Sequence, residues 1–398
     1  MNLFRLVLVT RRFWPLVGGA ERVMANLAAE LTRLNMQVTV LTAAWQPEWP
    51  SELRYRGVPV VRLPNPPRRR WGTFQYMRAL AGWLKRNRDH YDLVYVSMLK
   101  HDAHAVIGAV QGRVPVVLRA EGAGHSGDCR WQLEAPFGRW IRRRARKAAA
   151  LVAPSLAIRE ELIAAGYPQA RVHFLPNGVA IPPPREAARR DAARAALATA
   201  DPALALSATA PLAVYIGRLH EAKGLAHLVA AWTPVVTQWP SARLWLVGEG
   251  PYRAVLEEQI EARGLSGRVV LAGEFDNTDE LLAAADLFVL PSLEEGMSLA
   301  LLEAMAAGLP IVASDIPGNR DLVVDGEHGL LVPTQDANAL ATAVHQFLRH
   351  PRLAARLGAA ARDRVIVDFP LSQTVAEHVS LFERLLVGQR HFRDGYYA

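Results

Sequence analysis

The chain has 398 residues, of which 51% are hydrophobic and 21% are charged, a length and composition that suit two or three buried cores. Its single cysteine, Cys129, excludes an intramolecular disulfide and a cysteine-rich metal site, which fits a reducing compartment. No apolar run approaches the roughly 18 to 20 uncharged residues that a membrane span needs. We therefore predict a globular protein of the cytoplasm.

Short apolar runs alternate with helical patterns along the first half of the chain. The first run, RLVLVT, is short and is followed by basic residues, so it predicts a strand and not a signal peptide. A glycine turn at Gly18 and Gly19 then precedes a helix that ends near Leu34. The next predicted strands are QVTVLTA, PVVRL, DLVYVS, PVVLRA, ALVAPS and VHFLP. This alternation is typical of a parallel sheet covered by helices on both faces.

The second half repeats this rhythm after a proline-rich and alanine-rich stretch that reads as a linker. Its predicted strands are LAVYIG, ARLWLVGEG, RVVLAG, LFVLPS, PIVASD and GLLVP. We predict an α/β fold with domains at 1–175 and 211–372 and a linker region at 176–210. Ligands of open α/β sheets bind beyond the carboxyl ends of the strands, so two facing domains are expected to share a cleft there.

Charge is distributed unevenly between the halves. Residues 1–175 hold 27 Lys and Arg against 12 Asp and Glu, whereas residues 176–398 hold 19 against 26. Six basic side chains fall within 139–147, beside Trp140, and a second cluster, RRRW, occupies 68–71. Such clusters suit an anionic membrane surface, and a solvated basic helix is the alternative. No nucleic-acid-binding motif accompanies them, so we predict peripheral association with the inner face of the cell membrane and no nucleic-acid partner.

The stretch EEGMSLALLEAMAAG, residues 294–308, combines two acidic side chains with a helix start. Its apolar spacing predicts a helix with Ser298 as N-cap and Gly308 beyond its end. Glu295 then lies in the preceding loop and Glu303 lies within the helix. Carboxylates accept strong hydrogen bonds from hydroxyls, and free amides at a helix start bind phosphate. This order fits a nucleotide sugar, which has hydroxyls at both ends and charge in the middle, while the alternative is a capping acid and an exposed helical Glu.

Two glycine loops lie at the starts of the two α/β bodies. In GRLHEAKG, Arg218 and Lys223 follow Gly217 at the end of a strand, where they are suited to neutralise a diphosphate. A pair of solvated surface cations is the alternative. In LVGGAE, the glycines Gly18 and Gly19 allow close approach to an anion, or they simply make a tight turn.

The segments GGAE, GRLHEAKG, LVGEGP and LPSLEEGMSLALLEAMAAGLPIVASDIPGN resemble the donor-site motifs of the retaining family 4 glycosyltransferases. The resemblance runs over nearly the whole chain, with PNGV at 176–179 near the interdomain crossing. It implies the GT-B fold, in which two Rossmann-like domains face each other across a cleft and a C-terminal helix, here about 373–398, returns to the first domain. It also implies a donor site made of Gly18, Gly19, Gly217, Arg218, Lys223, Glu295, Gly296, Met297, Ser298, Leu299 and Glu303.

Within that site the resemblance implies that Glu295 contacts the sugar and Glu303 the ribose of a UDP- or GDP-sugar. Arg218 and Lys223 would hold the diphosphate, and Gly18 and Gly19 would face it from the other domain. No metal and no other cofactor is expected.

The chain departs from the family at one position near the transferred sugar. The family often has a histidine after the strand that matches PVVLRA, and this chain has Glu121 there. We predict that Glu121 contacts the sugar or the acceptor, and an ion pair with Arg119 or Arg130 is the alternative. The histidines His101, His104 and His125 are weaker candidates for the acceptor side, and they do not form a metal-binding set.

The predicted reaction is transfer of a sugar from a nucleoside diphosphate sugar to a hydroxyl acceptor, with retention of configuration. A hexosyltransferase of glycolipid, cell-surface polysaccharide or glycoconjugate synthesis fits this prediction, and the acceptor is lipid-linked if the membrane prediction holds. The alternatives are a GT-B nucleotide-sugar epimerase and a non-catalytic protein that binds a nucleotide sugar or a membrane. A nicotinamide dehydrogenase is disfavoured, since neither glycine loop gives a clear G-x-G-x-x-G.

Overall fold

The computed structural model describes residues 4–16, 18–66 and 69–394. Its contacts divide the chain into a first unit, Met1–Asn177 with Ser372–Ala398, and a second unit, Gly178–Leu371. Part of the basic RRRW cluster, at residue 68, lies outside the described residues. Each unit is an α/β body built on its own sheet.

The first unit has an eight-stranded sheet in the order β3-β4-β2-β1-β5-β6-β7-β8, and the second has a six-stranded sheet in the order β11-β10-β9-β12-β13-β14. All neighbouring strands run parallel except β3 and β4, which are antiparallel. The strands are β1 Arg5–Val9, β2 Gln37–Ala44, β3 Glu52–Tyr55, β4 Val58–Pro64, β5 Leu93–Ser97, β6 Val116–Arg119, β7 Ala150–Ala153, β8 Val172–Phe174, β9 Leu212–Ile216, β10 Arg243–Val247, β11 Val269–Gly273, β12 Leu287–Leu290, β13 Ile311–Ser314 and β14 Leu330–Val332.

Helices connect most of the parallel strands, since parallel neighbours need a long crossover connection. They are α1 Gly19–Arg33, α2 Arg69–Arg86, α3 His101–Val110, α4 Asp128–Glu134, α5 Gly138–Ala145, α6 Leu156–Ala164, α7 Ala187–Ala200, α8 Leu225–Gln238, α9 Arg253–Ala262, α10 Asp279–Ala284, α11 Leu299–Ala306, α12 Pro317–Arg320, α13 Ala337–Arg349, α14 Pro351–Asp368 and α15 Leu371–Asp394. Within the described residues, no helix combines the length and the apolar character that crossing a bilayer requires.

The strands predicted from the sequence are confirmed in both units, and one strand was not predicted. The edge strand β3 pairs antiparallel with β4 through Leu53 and Val60. Its four residues alternate between exposed and half-buried positions, so they lack the apolar run that marks the central strands. A short edge strand of this kind is defined by its neighbour more than by its own residues.

The segment 176–210, predicted as a linker, contains the helix α7 and belongs mainly to the second unit. The guanidinium of Arg194 on this helix is buried, donates to the carbonyl of Ala284 at 3.0 Å and pairs with Asp286 at 2.8 Å. The alanine-rich and arginine-rich sequence looks like low complexity because anchoring contacts such as those of Arg194 with Ala284 and Asp286 are made with residues about 90 positions away. The structure therefore has a helix in this segment that packs on the second unit, and the boundaries of the linker region stay a prediction.

The C-terminal helix α15 packs against the sheet of the first unit through a buried polar contact. The hydroxyl of Tyr95 on β5 lies 3.0 Å from Nε2 of His378, and Nδ1 of His378 lies 2.7 Å from the carbonyl oxygen of Thr374. Phe382 packs edge-to-face against both Tyr95 and Phe4. Because Nδ1 donates to Thr374, Nε2 accepts the hydroxyl proton of Tyr95, so His378 is neutral in the folded chain.

Burial lowers the pKa of His378 to about 4, so acid is expected to weaken this contact. The unfolded chain binds the proton at about pH 6.5, and stability is therefore lost as the pH falls from about 6.5 towards 4. We expect the free energy of unfolding to fall by about 3 kcal/mol more in the parent than in His378→Gln across this range. Urea unfolding at a series of pH values measures the difference, and parallel curves for the two chains would contradict it.

Candidate functional site

Two predicted motifs of the second unit meet at one edge of its sheet. The strands β9 and β12 are parallel neighbours, and the loop after β9 carries Arg218 and Lys223 while the loop after β12 carries Glu295. The backbone amide of Leu293 donates to the carbonyl of Ala222 at 2.9 Å and ties the two loops together. The carboxyl edge of this sheet therefore brings together residues about 70 positions apart in the sequence, as binding sites of open α/β sheets require.

Glycines let these loops approach one another. Gly224 adopts a left-handed conformation with φ +65°, and a Cβ there would lie 2.1 Å from the carbonyl oxygen of Pro291. Gly248, with φ +133°, would place a Cβ 2.0 Å from the carbonyl oxygen of Gly217. Any larger residue at either position would push the loops apart, so the glycines fix the spacing of the site.

Lys223 and Glu295 form an ion pair at the centre of this edge. Nζ of Lys223 lies 2.6 Å from Oε1 of Glu295, and the Ser292 hydroxyl donates to the same oxygen at 2.7 Å. The side chains are 25% and 11% exposed, so the pair is shielded from water. The second oxygen, Oε2 of Glu295, accepts no hydrogen bond from the residues that the structure describes. The carboxylate is thus held in place on one side and has capacity for a hydroxyl donor on the other.

Arg218 differs from Lys223 in being exposed. Its side chain forms no hydrogen bond or ion pair with the described part of the chain, while its backbone carbonyl accepts the hydroxyl of Tyr215 at 3.0 Å. Burial and the charge of Glu295 raise the pKa of Tyr215 well above its ordinary value, so this hydroxyl remains a donor. Arg218 therefore presents an uncompensated forked cation beside the Lys223 pair.

The helix α11 begins where the sequence predicts. Ser298 is its N-cap, and the Oγ atom accepts from the amide of Leu301 at 3.3 Å. Gly308 follows the helix in a left-handed conformation, with φ +73°. The predicted donor residues Gly296, Met297, Ser298 and Leu299 are buried around this helix start, and a Cβ on Gly318 would meet the backbone of Glu295 at 2.3 Å.

Glu303 projects from α11 as a half-buried side chain. Its Oε2 accepts from the Thr278 hydroxyl at 3.3 Å, just before α10 begins. The prediction that a Glu on this apolar helix needs a partner is confirmed. Neither Thr278, a partner of Glu303, nor Ser292, a partner of Glu295, was predicted. Ser292 carried a signal, since it is the last residue of the predicted strand LFVLPS, whereas Thr278 carried none.

In the first unit, Gly18 and Gly19 begin α1, as predicted. Gly18 is the N-cap, and a Cβ there would lie 2.2 Å from Oε2 of Glu21. Gly19 has open space around it, and a Cβ there would meet nothing within 4 Å. Because the Glu21 carboxylate is the flexible end of a side chain, packing requires neither glycine, and the anion contact of this turn stays a prediction.

Glu121 forms the ion pair that the sequence left open as an alternative. Its Oε1 accepts from Nε of Arg119 at 2.9 Å and from the hydroxyl of Ser97 at 2.8 Å, and Arg119 is 2% exposed. The guanidinium also donates to Oδ1 of Asn177 at 2.7 Å. Burial raises the pKa of Glu121, and Arg119 opposes this shift. Oε2 of Glu121 has no hydrogen-bond partner among the described residues, so a ligand contact through that oxygen stays a prediction.

The three acceptor-side histidines have different surroundings. His104 is 4% exposed, lies 2.7 Å from Nη1 of Arg144 and packs against the ring of Trp140 at 3.9 Å. Burial lowers its pKa to about 4, so it packs as a neutral residue between α3 and α5, and its assignment to the acceptor side stays a prediction. His101 packs edge-to-face on Trp131, and His125 is exposed. Within residues 4–16, 18–66 and 69–394, no cluster of His, Cys, Asp or Glu has the spacing of a metal site.

Comparisons with known proteins agree with this geometry. The model of Glycosyltransferase Family 4 matches residues 17–181, and the model of Glycosyl transferases group 1 matches residues 210–350. The chain belongs to the family 4 glycosyltransferases. The two matched ranges include both glycine loops, Glu295 and Glu303.

Two curated relatives of this chain differ in how much of their length is matched. A GDP-mannose-dependent alpha-(1-6)-phosphatidylinositol monomannoside mannosyltransferase of Mycolicibacterium smegmatis is 28% identical over 90% of this chain and 92% of its own length. The lipopolysaccharide core biosynthesis glycosyltransferase LpsE of Rhizobium meliloti is 36% identical over 41% of this chain and 46% of its own length. The chain therefore spans about half the length of some curated relatives and nearly all of another.

Solved structures show that the chain has the predicted GT-B fold. Sucrose-phosphate synthase from Thermosynechococcus elongatus superposes with a TM-score of 0.81 at 24% identity, covering 97% of this chain and 100% of the other. Anabaena HepE in complex with UDP and glucose superposes with a TM-score of 0.78 at 21% identity, covering 96% and 99%. At these identities the likeness shows the fold alone.

Proposed function

We propose that this glycosyltransferase transfers a sugar from a nucleoside diphosphate sugar to a hydroxyl acceptor and retains the anomeric configuration. The observation that carries the proposal is the shielded Lys223–Glu295 pair beside the exposed Arg218, at the carboxyl edge of the second sheet. A carboxylate fixed by a cation and a hydroxyl, with one oxygen free for a ligand, is suited to hold a sugar hydroxyl. A cation next to it is suited to the departing phosphate.

The charge that develops in the reaction is placed on the leaving diphosphate. Arg218 offers forked donors, Lys223 a point charge, and the start of α11 a set of backbone amides with a positive dipole end. Groups fixed before the reaction stabilise such charge without reorganising, and each is worth about 100-fold to 1,000-fold in rate. In this proposal these groups supply the stabilisation, and no metal is required.

The two acidic residues divide the donor between them. Glu295 is assigned to the sugar because it is paired with Lys223, one of the two cations that are proposed to bind the diphosphate. Glu303 lies about 7.5 Å further along the helix axis than the N-cap, at about 1.5 Å per residue, and is assigned to the ribose. The HepE structure contains UDP, and the mycobacterial relative is named as GDP-mannose-dependent, which supports a UDP- or GDP-sugar as donor.

Retention is proposed to follow from attack on the face that the diphosphate leaves. The acceptor hydroxyl loses its proton to the departing phosphate oxygen while its own oxygen bonds to the anomeric carbon. Among the described residues, no side chain stands out as a nucleophile for a covalent intermediate, and Glu121 is engaged by Arg119. The assignment of Glu121 to the transferred sugar rests on its remaining oxygen.

The proposed acceptor is lipid-linked, because one tip of the first unit combines apolar and basic groups. Leu133, Phe137 and Trp140 are 51%, 80% and 55% exposed, respectively, around the start of α5. Arg139 and Arg143 are exposed on the same short helix, whereas Arg144 is held by His104 and by the ring of Trp140. Exposed aromatic side chains beside Arg suit the boundary between headgroups and acyl chains.

We expect this tip to bind anionic vesicles, and salt to weaken the binding because such attraction decays within a Debye length. Phe137→Ser removes an aromatic ring that would enter the bilayer boundary, and we expect about tenfold weaker binding. Val367→Ser, at a residue 70% exposed in the second unit, is the control and should bind as the parent does. Co-sedimentation that is absent, or equal for neutral and anionic vesicles, would remove the basis for a membrane partner.

The transfer reaction is tested by measuring nucleoside diphosphate release from UDP-glucose and GDP-mannose, with and without hydroxyl acceptors presented on vesicles. The proposal predicts release that depends on the acceptor and a product whose anomeric proton shows the configuration of the donor. An inverted product would contradict retention. Conversion of the donor to an epimer without any acceptor would identify an epimerase instead, and the absence of either reaction would favour a binding protein.

A further inference from the structure

A long groove runs along α2 on the first unit. Its volume is about 1020 Å³, near the upper end of ordinary ligand sites. One wall is the stripe Trp71, Phe74, Arg78 and Gly82 of α2, and the other is formed by the chain that follows β2 and β4. From Trp71 to Arg86 the helix extends about 22 Å, at about 1.5 Å per residue. The groove therefore follows most of the length of α2.

The floor and one end of the groove are apolar and aromatic. The rings of Trp71 and Phe74 stack at 5.5 Å with an interplanar angle of 27°, and they are 55% and 52% exposed. Trp45, on the facing wall, is 40% exposed, and Leu63 lies between the walls. Large aromatic side chains left this open in one place mark a surface that a ligand or partner covers.

The charge of the groove has one sign only. Arg78, Lys85 and Arg86 line it and are exposed, and no Asp or Glu is among the described residues that line it. Lys85 and Arg86 also complement the dipole at the end of α2. Arg78 lies in the middle of the helix, where the helix dipole does not favour a basic residue. The groove thus complements a ligand that has an apolar body and an anionic group.

We propose that this groove binds the hydrocarbon chain of a phosphate-bearing lipid, the lipid part of the acceptor. The inference rests on the proposed function and specifies its acceptor class. The chain lies over Leu63 and between the open rings, and the phosphate contacts the cations of α2. An oligosaccharide is disfavoured as occupant, because a groove for sugar needs acceptors for hydroxyl protons and this one has none that are charged.

The groove lies in the same helical layer as the tip with the exposed side chains Leu133, Phe137 and Trp140. α2 packs against α3, and α3 packs against α5, so the groove helix and the helix that carries Trp140 belong to one helical layer of the first unit. The buried side of α2, with Tyr76, Leu80 and Leu84, anchors this layer on the sheet. A lipid held in the groove therefore lies on the same layer that presents its aromatic tip to a bilayer.

Gly82 provides a way to fill the groove without disturbing the fold. A Cβ at this position would meet only the flexible end of Arg86, at 3.2 Å. Gly82→Leu therefore places a side chain in the groove and also raises the helix propensity of α2. Ala196→Leu, at an exposed position of α7 in the second unit, is the matched control. A second variant, Trp71→Ala with Phe74→Ala, removes the open rings instead of blocking the space.

Isothermal titration with dodecyl phosphate, below the concentration at which it forms micelles, tests the proposal. The parent and Ala196→Leu are expected to bind it alike, and Gly82→Leu and the double variant at least tenfold more weakly. Inorganic phosphate alone should bind weakly, because the charge lacks the chain, and dodecyl maltoside weakly, because the chain lacks the charge. Equal binding by the parent and Gly82→Leu, or binding of maltohexaose in preference to dodecyl phosphate, would overturn the proposal.

The binding test of the groove and the binding test of the donor site give independent results. Titration with dodecyl phosphate reads the first unit alone, whereas nucleoside diphosphate binding reads residues of the second unit. Loss of nucleotide binding with retained dodecyl phosphate binding would contradict the proposed function and keep the lipid groove. The opposite result would contradict the groove and leave the transferase intact.

Discussion

Arg218→Ala is expected to lower kcat about 100-fold to 1,000-fold and to leave the melting temperature unchanged. The side chain is exposed and bonded to no described residue, so its removal leaves no buried partner. Its expected role is confined to the charge that grows on the leaving diphosphate. Arg352→Ala, at an exposed position of α14, is the control and should keep both the rate and the stability of the parent.

Lys223→Ala is expected to lower kcat by a similar factor but, in contrast, to cost stability as well. It leaves the carboxylate of Glu295, 11% exposed, with the Ser292 hydroxyl as its remaining partner. Loss of a hydrogen bond to a charged group of this kind costs about 1.5–3 kcal/mol. Steady-state rates with thermal unfolding compare the variants, and rates within a few fold of the parent for both would contradict the diphosphate role.

Glu121→Gln is the second change with a large expected effect. It keeps the shape of the side chain but removes the charge opposite Arg119, which is buried. We expect a loss of about 2–3 kcal/mol in the free energy of unfolding and a large fall in the rate of transfer, with nucleotide binding nearly unchanged. The rate falls because a carboxylate favours the positive charge that develops at the anomeric carbon.

Ser97→Ala separates the two roles of Glu121. It removes one neutral hydrogen bond to Oε1 and keeps the charge, so it should cost about 1 kcal/mol of stability with little effect on transfer. If Glu121→Gln loses stability but transfers sugar at nearly the parental rate, Glu121 is structural. The sugar contact would then belong to another residue, such as His125.

The sequence correctly predicted the features that depend on local residue patterns, namely the ends of α11 and the central strands. The helix α11 begins after Ser298 and ends before Gly308, as predicted, because capping and left-handed turns depend on the residue itself. The central strands were predicted because burial on both faces leaves continuous apolar runs. The Glu295 loop was placed at the carboxyl edge of a strand, which is where the structure has it.

Contacts made at long range were the ones that the sequence did not reveal. The helix α7 is held by Arg194 against Asp286, about 90 residues away, so its sequence alone resembles a linker. The contact between Thr278 and Glu303 depends on where the start of α10 lies relative to α11. His104 has the polarity of a ligand contact, but its burial under Trp140 is set by the packing of two helices. Tertiary packing decides such cases, and single-sequence patterns do not encode it.

The central claim is that the carboxyl edge of the second sheet binds a nucleoside diphosphate, with Glu303 on its ribose. Isothermal titration of UDP and of GDP into the parent, Glu303→Gln and Glu258→Gln tests it most directly, since Gln keeps the Thr278 contact and removes the charge. The prediction is that one diphosphate binds the parent and Glu258→Gln alike and binds Glu303→Gln about 10-fold to 100-fold more weakly. Binding of neither diphosphate to the parent, or equal affinity for all three chains, would contradict it.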